Sequence, residues 1–327
     1  MVPCEVVPGV FRIELPLPFE LEHINTYLAP LERGWMLIDC GLASDACREG
    51  LEAALHSLGI AWTDIRQVFL THMHPDHSGL ASEVLARSGA RLLMHAGEAW
   101  LLAEVSSGEY HKWEGVVLAE AGVPPDLAER IVEAFAGIRK TFRKLDPDWP
   151  LAGGETIPSA LGPLEVLWVR GHSPGHVCLY AAERRLLFAG DQMLEGITPN
   201  IGWQSDHDAL GEYLASLDRL AALDIDVVLP SHGAPFGEHR EWIRQTRSHH
   251  QERCRQIEQA LAGAGAGKTA HELVADVWPR ALSPFHLRFA VFEILAHLDF
   301  LKQAGRLRSR HSGGALRWSL GYNKTSL

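Results

Sequence analysis

The segment Thr71-His72-Met73-His74-Pro75-Asp76-His77-Ser78-Gly79 sets three imidazoles and a carboxylate close together. A strand ending at Thr71 carries His72 and His74 on one side, because residues two apart in extended chain point the same way. Pro75 blocks an early helix, and a turn after it returns Asp76 and His77 toward the same point. Such a donor set suits two adjacent metal ions. Three more groups repeat the placement: Gly171-His172-Ser173-Pro174-Gly175-His176, Gly190-Asp191 and Ser231-His232-Gly233. Each puts a His or Asp just past a predicted strand, flanked by Gly, Ser or Pro. Ligands at several strand ends converge on one rim of a sheet, where α/β proteins bind small molecules.

The elements that must position them alternate short apolar strands with amphipathic helices. Strands are predicted over 10–14, 25–29, 35–39, 67–71, 91–95, 165–169, 177–181, 186–189 and 226–229. Helices are predicted over 46–58, 79–88, 97–105 and 209–223. This is the pattern of a layered α/β domain. Residues 108–145 interrupt it with two predicted helices, 110–121 and 125–144, forming either a wall over the site or a packing embellishment. A helix over 240–261 and a Gly/Ala-rich linker over 262–268 follow. Thr269 and Glu272 have capping-box spacing, and Ser283-Pro284 starts a second helix, with proline at its first position. A hairpin around Ser312-Gly313-Gly314 ends the chain. Helix, helix, hairpin is the order of a winged helix.

The motifs resemble those of the metallo-β-lactamase superfamily over roughly residues 5–235. His72-x-His74-x-Asp76-His77 looks like its signature, and residues 171–176 look like the third motif of its glyoxalase II branch. The resemblance implies an αββα sandwich over residues 1–240, with the helical insert at 108–145. Residues 241–268 would connect it to a winged-helix-like domain over 269–327, similar to the tail of the β-lactamase-like endoribonucleases. Carried over by position, His72, His74 and His172 would bind one metal, and Asp76, His77 and His232 the second, with Asp191 bridging them. Zinc is the expected pair of ions, because imidazole with some carboxylate suits it; iron and manganese are also compatible. Two such ions lower the pKa of a shared water from 15.7 to about 7, so the implied reaction is hydrolysis by a bridging hydroxide that Asp76 orients. Gln192, Asn200 and Trp203 are candidates for substrate contact or loop packing. His176 reads as support for a turn or a ligand. His286 and His297 read as packing residues.

The implied function is hydrolysis of a small ester, thioester or lactone. Asp191 stands where many true β-lactamases hold a cysteine, so β-lactams are expected to be poor substrates. The alternative is a metal-dependent single-strand nuclease. A mononuclear iron dioxygenase needs only a subset of these ligands, and a transcription factor would leave the site unexplained. With 41 acidic and 30 basic residues the net charge is -11, which argues against a global nucleic-acid footprint. The stretch 300–327 is locally basic, with Lys302, Arg306, Arg308, Arg310, Arg317 and Lys324 and no acid. The apolar character of 285–301 commits that helix to packing, on the catalytic domain or on a second subunit. The five cysteines show no C-x-x-C spacing and read as reduced, mostly buried thiols. No basic-then-apolar leader and no run of membrane-span length is found, so the expected compartment is the cytoplasm.

Overall fold

Period-two alternation sorts the strand side chains onto two faces. Tyr27 and Ala29 enter one core and Leu28 the other, and Phe69 is flanked in the same way by Val68 and Leu70. The computed structural model describes residues 2–321, apart from 19, 109 and 206. Its first sheet holds, in chain order, β1 (Cys4–Val7), β2 (Val10–Pro16), β3 (His23–Pro30), β4 (Trp35–Ile38), β5 (Ile65–Leu70), β6 (Arg91–His95) and β7 (Trp149–Leu151). The strands are antiparallel from β1 to β4 and parallel from β4 to β7. The second sheet contains β8 (Thr156–Ile157), β9 (Leu164–Trp168), β10 (Val177–Ala181), β11 (Leu186–Gly190) and β12 (Val227–Pro230), in the order β12-β11-β10-β9-β8.

Val10, Tyr27, Ile38 and Phe69 of the first sheet meet Val166, Leu179, Phe188 and Leu229 of the second in one buried layer. Outside the first sheet lie α1 (Asp45–Ser57), α3 (Ala81–Ser88) and α4 (Ala96–Ser107), packed through Leu51, Val84 and Leu102. A single turn, α2 (Pro75–Ser78), precedes α3. Outside the second sheet, Cys178, Tyr180 and Leu187 cover Leu210, Tyr213 and Leu217 of α8 (Ala209–Ala221). This is the expected αββα sandwich. Four of the five cysteines are buried, and all are free thiols.

The insert contains α5 (Tyr110–Glu120), α6 (Pro125–Ala134) and a turn, α7 (Ala136–Arg139). The helix expected over 125–144 is instead divided at Phe135, and its second piece ends at Arg139. Phe135, at the junction of α6 and α7, stacks on Phe285 at 4.6 Å, and Arg139 turns back to Glu114 at 2.7 Å. Strands β1, β7 and β8 were not expected. They are too short for a periodic signal, and pairing with a neighbour defines them.

The C-terminal module consists of α9 (His239–Leu261), α10 (Ala270–Val277), α11 (Pro284–Gln303) and the hairpin β13 (Leu307–Ser312) and β14 (Ala315–Leu320). The capping box forms as expected: Glu272 N donates to Thr269 Oγ1 at 3.1 Å, and Thr269 N to Glu272 Oε2 at 2.8 Å. Ser283 caps α11. Gly313 and Gly314, with φ of +63° and +81°, make the two-residue turn that left-handed residues favour in hairpins. The apolar face of α11 packs on this same chain: Val291, Ile294 and Leu298 share a cluster with Ile131 of α6, Leu217 of α8 and Ile257 of α9. Of the basic residues, Arg306 pairs with Glu258 and Arg317 with Glu272, while Lys324 lies outside the described residues.

Candidate metal centre

All seven predicted residues converge between the carboxyl ends of the two sheets. β5 ends at Leu70, and Thr71 and His72 follow it; His74 then leads into α2, which carries Asp76 and His77. His172 comes from the β9–β10 connection, Asp191 follows β11 and His232 follows β12. The sheets are stitched together here by Val177 N donating to Thr71 O and Asn25 N to Ser231 O. Gly190 is required at the end of β11, with φ +54°, because a Cβ there would sit 2.6 Å from His176 Nε2.

Two groups of donors form. His72, His74, His172 and Asp191 offer atoms that all lie within 4.8 Å of one another, as do Asp76, His77 and His232. His74 Nδ1 is 2.8 Å from His72 Nε2 and 3.1 Å from His172 Nε2. Asp191 faces both groups. Its Oδ2 is 3.4 Å from His172 Nε2 and 4.0 Å from His72 Nε2. Its Oδ1 is 3.4 Å from His77 Nε2 and 3.7 Å from His232 Nε2. Asp76 Oδ2 approaches His232 Nε2 at 3.4 Å.

Four imidazoles are held by their other nitrogen. Nδ1 of His72 meets Thr71 Oγ1 at 3.0 Å, that of His77 meets Asp39 Oδ2 at 2.8 Å, and those of His172 and His232 meet the carbonyls of Asn200 and His23 at 2.9 Å each. With the proton committed to such an acceptor, the Nε2 lone pair points into the centre, which is how metal-binding histidines are oriented. His77 Nε2 and Asp191 Oδ1 are buried and face each other with no hydrogen-bond partner. A cation between these groups would satisfy both.

The charges agree with that fit. Burial, reinforced by neighbouring imidazoles, pushes His72 well below its ordinary range and His74 down to about 3, and burial also lowers His172. Burial thus favours the neutral form of these rings, the form a metal would require. Burial also acts against charge on His77 and His232, but the surrounding carboxylates overcome it and raise both. The carboxyl of Asp76 is held down to about 2 and that of Asp191 well below its ordinary range, because His77 and His232 outweigh burial. The carboxylates thus favour positive charge at this centre, which divalent cations would supply.

Gln192 is fully buried, its backbone carbonyl accepts from Tyr213 Oη at 3.1 Å, and its side-chain amide has no hydrogen-bond partner. Asn200 gives its carbonyl to His172 and its side chain to Glu293. Trp203 stacks on Trp113 of the insert, and its indole donates to Asp299. His176 is buried; its Nε2 accepts from Asp191 N at 3.1 Å, and its ring stacks on His72. It supports the neighbouring residues of the centre. Two supporting residues lay outside the motifs. Asp39 binds Thr71 and His77, and the fully buried Glu98 accepts from Met73 N at 2.8 Å, Gly175 N at 2.6 Å and Ser173 Oγ. Asp39 stands after β4 before Cys40-Gly41, the same strand-end pattern as the seven residues of the centre, so a signal for it existed. Glu98 sits in the first turn of a helix and carries no such signal.

A fold of two sheets with helices outside, and a His/Asp centre at their shared edge, defines a metallo-hydrolase architecture. Residues 20–232 match the metallo-β-lactamase superfamily and residues 254–320 the metallo-β-lactamase-like C-terminal domain. The chain belongs to the metallo-β-lactamase superfamily and is a hydrolase of it. It is 25% identical to "Probable metallo-hydrolase YqjP" of Bacillus subtilis, over 94% of this chain and 96% of that one. The atrochrysone carboxyl ACP thioesterase of Claviceps purpurea is 23% identical, over 85% of this chain and 74% of its own. The crystal structure of the metallo-β-lactamase family protein TTHA1429 from Thermus thermophilus superimposes with a TM-score of 0.83 at 30% identity, covering 97% of this chain and 100% of that one. Among the described residues no helix is long and apolar enough to cross a membrane.

Proposed function

We propose that this chain hydrolyses a small ester, thioester or lactone, using two divalent ions held by the seven residues of the centre. The observation that carries this reading is Asp191, whose two carboxylate oxygens each face a different imidazole group. His72, His74 and His172 would hold one ion, Asp76, His77 and His232 the other, and Asp191 would serve both. Zinc is the expected occupant, since five imidazoles and two carboxylates suit it. The ions would supply Lewis acidity and make a water acidic near neutral pH. Asp76, ionised at neutral pH, would accept a hydrogen bond from the attacking water and so fix its direction. Asp39, Thr71 and the carbonyls of His23 and Asn200 hold the imidazoles still during turnover. A thioesterase among the relatives supports an acyl substrate. A nuclease reading has less support, because Arg306 and Arg317 are engaged with glutamates and α11 is buried.

Elemental analysis of the purified protein, coupled to a panel of thioester, ester, lactone, β-lactam, phosphodiester and single-stranded RNA substrates, tests this. Two metals per chain with ester or thioester turnover is the expected result. One metal in metal-replete protein refutes the dinuclear site, and efficient β-lactam or RNA cleavage with inert esters refutes the substrate class.

A further inference from the structure

The acceptor that orients His172 is the carbonyl of Asn200, at 2.9 Å. Asn200 lies in the connection from β11 to α8, where no helix or named strand forms among the described residues. A segment without a hydrogen-bond ladder of its own must be held from outside. α11 of the C-terminal module holds it at three positions. Asn200 Nδ2 donates to Glu293 Oε2 at 3.3 Å, Trp203 N donates to Phe292 O at 2.9 Å, and Trp203 Nε1 donates to Asp299. Ile201 is fully buried in the cluster that contains Phe292. Glu293 is tied down in turn: Arg253 of α9 faces it at 3.5 Å, with only 12% and 15% of the two side chains exposed, and the guanidinium lies 4.1 Å from the Trp278 ring. The guanidinium is held a second time within α9, where Arg253 Nη1 donates to Gln256 Oε1 at 3.2 Å.

We infer that the C-terminal module is part of the metal centre: the line Arg253–Glu293–Asn200–His172 sets the orientation of the His172 imidazole, and Glu293 is a positioning residue. The inference rests on the reading of His172 as a ligand. If Glu293 is lost, the Asn200 side chain has no anchor, the carbonyl tilts, and the lone pair of His172 turns away from the direction shared with His72 and His74. Outer partners of metal-bound histidines are worth ~10- to 100-fold in affinity. Glu293 acts one residue further out, so the lower end applies.

The test titrates metal-free full-length protein with Zn2+ in competition with a chromophoric chelator, and records the visible spectrum of the Co2+ form. Glu293→Ala and Asn200→Ala should each weaken one of two binding steps about 10-fold and alter the Co2+ spectrum. The double variant should be no worse than either single change, because both break the same link. Glu293→Gln keeps an acceptor for Asn200 and should stay within about twofold of wild type. Asp276→Ala, which removes the Lys268–Asp276 pair of the same module, should change nothing. Wild-type affinity in both alanine variants overturns the inference. So do effects that multiply in the double variant, or an equal loss in Asp276→Ala. A single binding step in wild type would refute the dinuclear reading instead, while the ratio of variant to wild-type affinity would still decide the role of Glu293.

Discussion

Replacing Glu98 should cost more than replacing any residue of its own helix surface, because its carboxylate clamps two loops of the centre together. One oxygen accepts from Ser173 Oγ and Gly175 N in the loop of His172, and the other from Met73 N between His72 and His74. The side chain is fully buried, so in Glu98→Ala water cannot replace it freely. Three orphaned buried donors at about 1–3 kcal/mol each give a range of about 3–9 kcal/mol. Removing the carboxylate also removes the penalty of burying it, which is what raises its pKa above the ordinary value. The lower half of the range, about 3–6 kcal/mol, is therefore expected for Glu98→Ala. Glu98→Gln keeps the shape but turns one acceptor into a donor facing a donor, and should cost about 1–3 kcal/mol. Ser173→Ala removes a single partner and should cost the least. Urea unfolding with matched metal loading reads these differences, and metal analysis reads the site. If Glu98→Ala loses less than about 1 kcal/mol and keeps full metal content, the clamp argument is wrong.

Three further outcomes are expected. Asp76→Asn should lower kcat at least ~10²-fold in steady-state assays at matched metal content, the lower end for proton-handling groups; normal turnover removes the role. Gly171→Ala should lower both metal content and melting temperature, because at φ +131° a Cβ would lie 2.3 Å from Tyr213 Cβ and drive the His172 loop outward; an unchanged protein on both measures contradicts this. His250 and His297 form a buried pair at 3.2 Å, depressed to about 2 and about 4, each chiefly by burial. Folded values below the unfolded one mean that their contribution to stability is complete above pH ~6.5 and lost as pH falls, down to about 4 for His297 and about 2 for His250. At pH 5 each ring should cost about 2 kcal/mol, so stability should drop between pH 7 and 5 by up to about 4 kcal/mol more in wild type than in a His250→Leu/His297→Leu variant. Parallel pH profiles from urea unfolding would exclude the pair as the cause.

The identity and order of the seven centre residues were readable because their chemistry restricts the residue types. His and Asp supply the donors, and Gly, Pro and Ser beside them mark the turns that leave a strand end open. Caps were readable for a similar reason: Thr269 with Glu272, and Ser283 before Pro284, satisfy helix-end amides within a few residues of sequence. The alternation that separates Tyr27 from Leu28, or Phe69 from Val68, is equally local, and it gave the layered fold. What holds the imidazoles was largely hidden. The carbonyls of His23 and Asn200 are present at every residue and carry no side-chain signal, so only the folded chain brings them to His232 and His172. Glu98 and Glu293 look like ordinary helical glutamates until tertiary packing removes them from water. The division between α6 and α7 was hidden in the same way, since the partner of Phe135 at that junction, Phe285, comes from α11. The apolar stripe of α11 announced that it would be buried, but only the tertiary structure decided against what. A hydrophobic face specifies that water be excluded, whereas its partner is set by which other face in the chain can reach it.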